Sequence, residues 1–83
     1  MYKILFTSKA RKQINNLPRP VAKRIVEKIQ DLAEDPFSRD IKKLVDIPLY
    51  RLRVGDYRII FDIKADELVI LVVKVGQRSN IYK

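Results

Sequence analysis

A two-residue turn, Gly55-Asp56, joins two runs of alternating residues and constrains the fold of this chain more than any other feature. Glycine at the first central position supplies the positive φ of a type II′ turn, whose twist matches that of paired strands. Closing a hairpin there sets Val54 opposite Tyr57, Arg53 opposite Arg58 and Leu52 opposite Ile59. Side chains alternate along a strand, so Tyr50, Leu52, Val54, Tyr57, Ile59 and Phe61 share one apolar face. Arg51, Arg53 and Arg58 share the other. Like charges directly opposite each other destabilise a strand pair. A sequence that breaks this local rule so plainly is serving a site, and three guanidinium groups on a rigid sheet make a receptor for phosphate. The alternative is an ion-paired surface, with Asp62 on the face of Arg58 and Asp46 or Asp56 reaching Arg51 or Arg53. One nearby carboxylate does not neutralise three guanidiniums.

The flanking segments supply the rest of the fold. Tyr2 to Thr7 is rich in strand formers and reads as a first strand. Thr7-Ser8 caps a helix start, Ala10, Ile14 and Leu17 follow at helical spacing, and Pro18 ends that helix. Pro20 suits the first turn of a second helix. Its apolar stripe is Val21, Ile25, Ile29, Leu32 and Ala33, and Asp35-Pro36 stops it. Residues 37–46 read as an irregular, basic connection containing Arg39, Lys42 and Lys43. A turn at Lys64-Ala65-Asp66-Glu67 leads to a last strand from Leu68 to about Val75, apolar on both faces and therefore central.

Helices segregated from strands argue an α+β domain spanning residues 1–83. The expected architecture is an N-terminal strand, a two-helix hairpin and a three-stranded antiparallel meander, with the helices on one face of an antiparallel sheet. Leu68, Ile70 and Val72 would meet the helices beside Ile59 and Phe61, leaving the arginines on the open face. Simple alternation places Arg78 on the helix face, and Gly76 is the position for a bulge or a strand end that re-aims it.

Composition enters as a set of exclusions. No cysteine and no histidine are present, which removes disulfides, thiol chemistry, the usual zinc and iron sites and every imidazole-dependent dyad or triad. The acids and bases of an enzyme built from this chain must be Tyr, Lys, Arg, Asp or Glu, and neither a metal nor a cofactor is expected. The longest apolar run, Leu68 to Val73, is too short to span a bilayer, and no signal or lipidation motif opens the chain. A cytoplasmic protein with no membrane partner is expected. The net charge of +8 points to a polyanion, although small domains are also basic for solubility. Residues 1–28 alone carry eight bases against one acid, Glu27. Lys9, Arg11, Lys12, Lys23, Lys28, Lys42 and Lys43 are candidates for docking a large RNA such as the ribosome, with a solvated helix surface as the alternative for those on the helices.

A cationic cluster without histidine can cleave RNA, because the nucleophile is the substrate's own 2′-OH. The protein need only align that attack, stabilise charge on the phosphorane and move protons. Tyrosine is a poor base at neutral pH unless adjacent cations lower its pKa, as arginines around Tyr82 would. Read alone, Tyr82 is more readily structural, a frayed or edge-packing aromatic near the chain end.

The segment Tyr50 to Phe61, followed by Val75-Gly76-Gln77-Arg78 and Ile81-Tyr82, resembles the RelE/ParE toxins of toxin–antitoxin systems. The likeness spans nearly the whole chain and implies a RelE-like, microbial-RNase-like fold. In the RelE branch it implies ribosome-dependent cleavage of messenger RNA in the A site, leaving a 2′,3′-cyclic phosphate, with a RelB-like antitoxin as partner. Arg51 and Arg53 then match basic residues around the scissile phosphate, and Arg58 matches a transition-state stabiliser. Arg78 matches a phosphate stabiliser or general acid, and Tyr82 a tyrosine that stacks on the substrate base or helps activate the 2′-OH. The ParE branch shares the fold but poisons DNA gyrase. Its members commonly lack the full basic and tyrosine set, so that set favours the RNase. A non-catalytic RNA-binding module is the further alternative.

Overall fold

The computed structural model describes residues 1–37 and 41–77. Its elements in chain order are β1 (Lys3–Phe6), α1 (Ser8–Asn15), α2 (Arg19–Glu34), β2 (Ile41–Lys43), β3 (Tyr50–Val54), β4 (Tyr57–Lys64) and β5 (Val69–Gln77). The strands form one five-stranded sheet in the order β1-β5-β4-β3-β2. Both helices pack on the same face, α1 over β5 and β1, α2 over β1 and β3. The α+β class and the helix-on-sheet layering match the sequence expectation.

Local chemistry explains where the helices begin and end. Thr7 Oγ1 accepts a hydrogen bond from Ala10 N at 3.1 Å, satisfying an otherwise orphaned N–H at the start of α1. Pro20 occupies the first turn of α2, where a missing N–H costs nothing. Ile25, Ile29, Leu32 and Ala33 form the buried stripe of α2. They meet Leu52, Val54, Ile59, Phe61, Ile70, Val72 and Val75 from the sheet, with Ala10 and Ile14 from α1. Burying each large aliphatic side chain contributes about 1.5–3 kcal/mol.

The hairpin has the register its sequence dictates. Val54 pairs with Tyr57, Arg53 with Arg58, Leu52 with Ile59, and Tyr50 with Phe61. Gly55 takes φ +59°, which L side chains rarely adopt. Tyr50 and Phe61 stack across the strands with ring centroids 5.9 Å apart, on the helix side of the sheet.

Four expectations are corrected. The sheet is mixed rather than antiparallel, because β1 lies parallel to β5, with Ile4 beside Ile70 and Phe6 beside Val72. The connection before the hairpin is not wholly irregular, since Ile41–Lys43 pairs antiparallel with β3 as the edge strand β2. Leu68 is not a core residue of the last strand: it belongs to the turn, at φ +54°, and is 51% exposed. Finally, the bulge in β5 lies at Val73 and not at Gly76. Ile60 pairs with Lys74 and Phe61 with Val72, so Val73 is the extra residue, while Gly76 pairs regularly with Arg58.

That bulge is held from the helix side. β1 stops pairing at Phe6–Val72, which leaves the backbone of β5 beyond that point without strand partners on its outer side. Thr7 Oγ1 donates to the Val73 carbonyl at 3.0 Å, and Gln13 Oε1 accepts from the Val75 N–H at 2.7 Å. An unmet backbone group in such a position costs about 1–3 kcal/mol.

Candidate functional site: a cationic sheet face

The face of the sheet turned away from the helices gathers cations row by row. In one row, Arg53 of β3 lies directly opposite Arg58 of β4, which faces Gly76 of β5. In the next, Lys42 of β2 pairs with Arg51 of β3, Arg51 with Ile60 of β4, and Ile60 with Lys74 of β5. Directly opposed residues are about 4.5–5.5 Å apart at Cβ, and diagonal neighbours about 7–8 Å. Five cations are thereby held within a few strand spacings of one another.

Their environments differ. Arg58 is only 8% exposed and is the sole charged side chain in the buried set of described residues. Arg51 is half-buried, and its Nε is enclosed without a hydrogen-bond partner among the described residues. Arg53 and Lys42 are exposed and Lys74 half-buried. Ile60 is only 5% exposed although it belongs to this open face, flanked by Arg51 on one side and Lys74 on the other. Long cationic side chains lay their alkyl stems over apolar neighbours and hold their charged heads in water.

The carboxylates that could have neutralised this face do not do so for Arg51 or Arg53. Asp62 pairs with Lys64 at 3.6 Å, and among the described residues no carboxylate lies within 4.0 Å of the Arg51 or Arg53 guanidinium. Arg53 lies directly opposite Arg58, a like-charge pairing of the kind that destabilises a pair of strands. Partly buried guanidiniums bind phosphate oxygens more strongly than solvated ones, because the local dielectric is lower and the fork geometry is pre-set.

The structure brings together Arg51, Arg53, Arg58 and Lys42 from the sequence candidates. Lys43 pairs with Tyr50, which gives it the opposite parity on β2. Lys9, Arg11 and Lys12 on α1, and Lys23 and Lys28 on α2, are exposed on the helix layer and so lie across the sheet from the arginines. They are not part of the cationic face. Arg78 and Tyr82 lie outside the described residues. A cleft of about 260 Å³ lined by Val21, Arg24, Val54, Gly55, Asp56 and Tyr57 also opens on the helix side, at the hairpin tip.

Lys74 is the member of the face that the sequence reading missed. Counting by twos from Ile70 and Val72 puts residue 74 on the helix side, where a lysine is out of place. That misplacement was the available signal. The Val73 bulge resolves it, returning Val75 to the core at 2% exposure and sending Lys74 to the arginine face.

This sheet-and-helix layering recurs in solved toxin structures. Residues 4–82 match the family profile described as the ParE toxin of type II toxin–antitoxin systems, parDE. A protein of Methanocaldococcus jannaschii named RelE1 is 30% identical over 76 residues, covering 87% of this chain and 84% of that protein. The toxin–antitoxin complex RelBE2 of Mycobacterium tuberculosis contains a chain that superposes with a TM-score of 0.84 at 28% identity, covering 93% of this chain and 98% of that one. The archaeal RelE–RelB complex of Pyrococcus horikoshii gives 0.83 at 29% identity, covering 95% and 97%. The chain belongs to the RelE/ParE toxin superfamily of type II toxin–antitoxin systems, and it is the toxin of such a system.

Proposed function

We propose that this toxin is a ribosome-dependent endoribonuclease that cuts messenger RNA in the A site. The observation that carries this is the convergence of Arg51, Arg53 and Arg58 on one sheet face, with no carboxylate neutralising Arg51 or Arg53 among the described residues. Such a face is complementary to a phosphate whose charge grows during reaction. The ribose 2′-oxygen bonds to the adjacent phosphorus, the bond from phosphorus to the 5′-oxygen breaks, and a 2′,3′-cyclic phosphate and a 5′-hydroxyl result. Arg51 and Arg53 orient the scissile phosphate, and Arg58 stabilises the phosphorane. Arg78 stabilises phosphate or protonates the leaving oxygen, and Tyr82 stacks on the base or helps take the 2′-proton. Both follow from the family likeness.

The antitoxin partner is proposed on the same footing. The similar chains from M. tuberculosis and P. horikoshii were solved as complexes with RelB-type antitoxins, and a RelB-like segment covering the cationic face would silence this toxin. The exposed helix cations Lys9, Arg11, Lys12, Lys23 and Lys28 supply salt-dependent docking to ribosomal RNA, with Lys43 at the edge of β2.

The test is in vitro translation with the purified toxin, followed by analysis of the message ends. Cleavage within A-site codons, 2′,3′-cyclic phosphate ends, and resistance of a codon carrying 2′-deoxyribose are expected. An intact message together with accumulated gyrase–DNA cleavage complexes would identify a gyrase poison instead.

A further inference from the structure

The structure assigns to Lys74 a second phosphate subsite, one that takes the backbone phosphate next to the scissile one. The proposal rests on the reading of the cationic face as an RNA-binding surface and adds a residue and a ligand group to it. Three observations carry it. The Val73 bulge turns Lys74 onto the face of Arg51, Arg53 and Arg58, although strand parity would have sent it toward the helices. Bonds from outside the sheet hold that bulge in place, from Thr7 Oγ1 to the Val73 carbonyl and from the Val75 N–H to Gln13 Oε1. Lys74 also lies in a different row from the Arg53–Arg58 pair, diagonal to Arg58 and one strand beyond Ile60.

The geometry separates two tasks. Arg53 and Arg58 are directly opposed and close enough to share one phosphate. Lys74 is about 7–8 Å from Arg58 by the diagonal spacing of a sheet, too far for its stem base to crowd the same group and near enough for the neighbouring linkage. Ile60 lies between Lys74 and Arg51 at 5% exposure and forms an apolar floor for both alkyl stems. A compact ammonium suits this role, since it acts as a point charge on a backbone phosphate without fixing a bidentate geometry. The strand would run across the sheet, from the β3–β4 arginines toward β5, and a substrate cut back to a single phosphate would not reach Lys74.

The experiment is a double-mutant cycle between the protein and the RNA backbone. Lys74→Met keeps the stem over Ile60 and removes the charge. The probe is a fluorescent oligoribonucleotide with 2′-deoxyribose at the scissile position, read by anisotropy over a salt series. A second probe carries a neutral methylphosphonate at the flanking linkage. On the fully charged probe, Lys74→Met should weaken binding several-fold and reduce the salt slope by about 0.7, the value for one phosphate contact to a single strand. On the methylphosphonate probe the substitution should have no effect, and Lys74→Arg should restore most of the binding to the charged probe. If Lys74→Met binds the charged probe with the affinity and slope of the unsubstituted protein while Arg53→Met weakens it, the subsite is wrong and the RNA-binding face stands. If neither substitution alters binding, the face itself is not an RNA interface and both fall.

Discussion

At the scale of single residues, the Arg53–Arg58 pair is the clearest conflict between stability and use. Replacing the exposed Arg53 with threonine removes a like-charge cross-strand pair and installs a good strand former. Arg53→Thr should raise stability by ~0.5 kcal/mol in urea denaturation while weakening RNA binding. A change that hurt both would mean that Arg53 is structural. Arg58 differs in being buried, so Arg58→Met is the useful substitution, keeping volume while removing the charge. It should cost on the order of 100- to 1000-fold in cleavage, the range for losing one preorganised donor to a developing anion. The sequence revealed this pair because a two-residue turn fixes cross-strand neighbours outright. It hid Lys74, because a bulge is set by partners distant in sequence, here Thr7 and Gln13, which lie 66 and 62 residues from their bonded atoms in β5.

At the scale of elements, two devices hold the site in register. The first is the turn: Gly55 sits at φ +59°, and a Cβ there would meet Arg24 only at an ordinary 3.5 Å, so the penalty on substitution is conformational rather than steric. Gly55→Ala should destabilise the protein by ~1 kcal/mol, measured by thermal or denaturant unfolding. The second is the bulge. Gln13→Ala strands the Val75 N–H and should cost ~1–2 kcal/mol. It should also weaken RNA binding without touching the cationic face, because Lys74 loses its fixed direction. A loss of stability with RNA affinity unchanged would show that the bulge does not set the site. Helix starts and stops were readable from Thr7, Pro18, Pro20 and Asp35, whose effects are local. The strand β2 was not, since three residues at a sheet edge gain their conformation from pairing with Arg51 and its neighbours rather than from their own pattern. Nor was the parallel pairing of β1 with β5 legible, because alternation in one strand says nothing about the direction of its partner.

At the scale of the whole molecule, the sheet divides the protein into two working sides. One is dry: Phe61, Ile59, Ile70 and Val72 are wholly buried beneath the helices, and Phe61→Ala should cost about 3–5 kcal/mol. The other is cationic, and the net charge of +8 is distributed so that the arginine face and the helix cations lie on opposite sides of the sheet. Under the function proposed above, the message would lie on one side and a large polyanion would dock on the other. Its family membership defines the fold and the toxin role, and the cationic face supplies the chemistry proposed for it. The most direct test is primer extension on a message under translation, comparing the unsubstituted toxin with folded Arg58→Met. Reverse-transcriptase stops should appear within A-site codons for the former and vanish for the latter. Stops that persist undiminished with Arg58→Met, or a message left whole by the unsubstituted toxin, would contradict a nuclease built on this face.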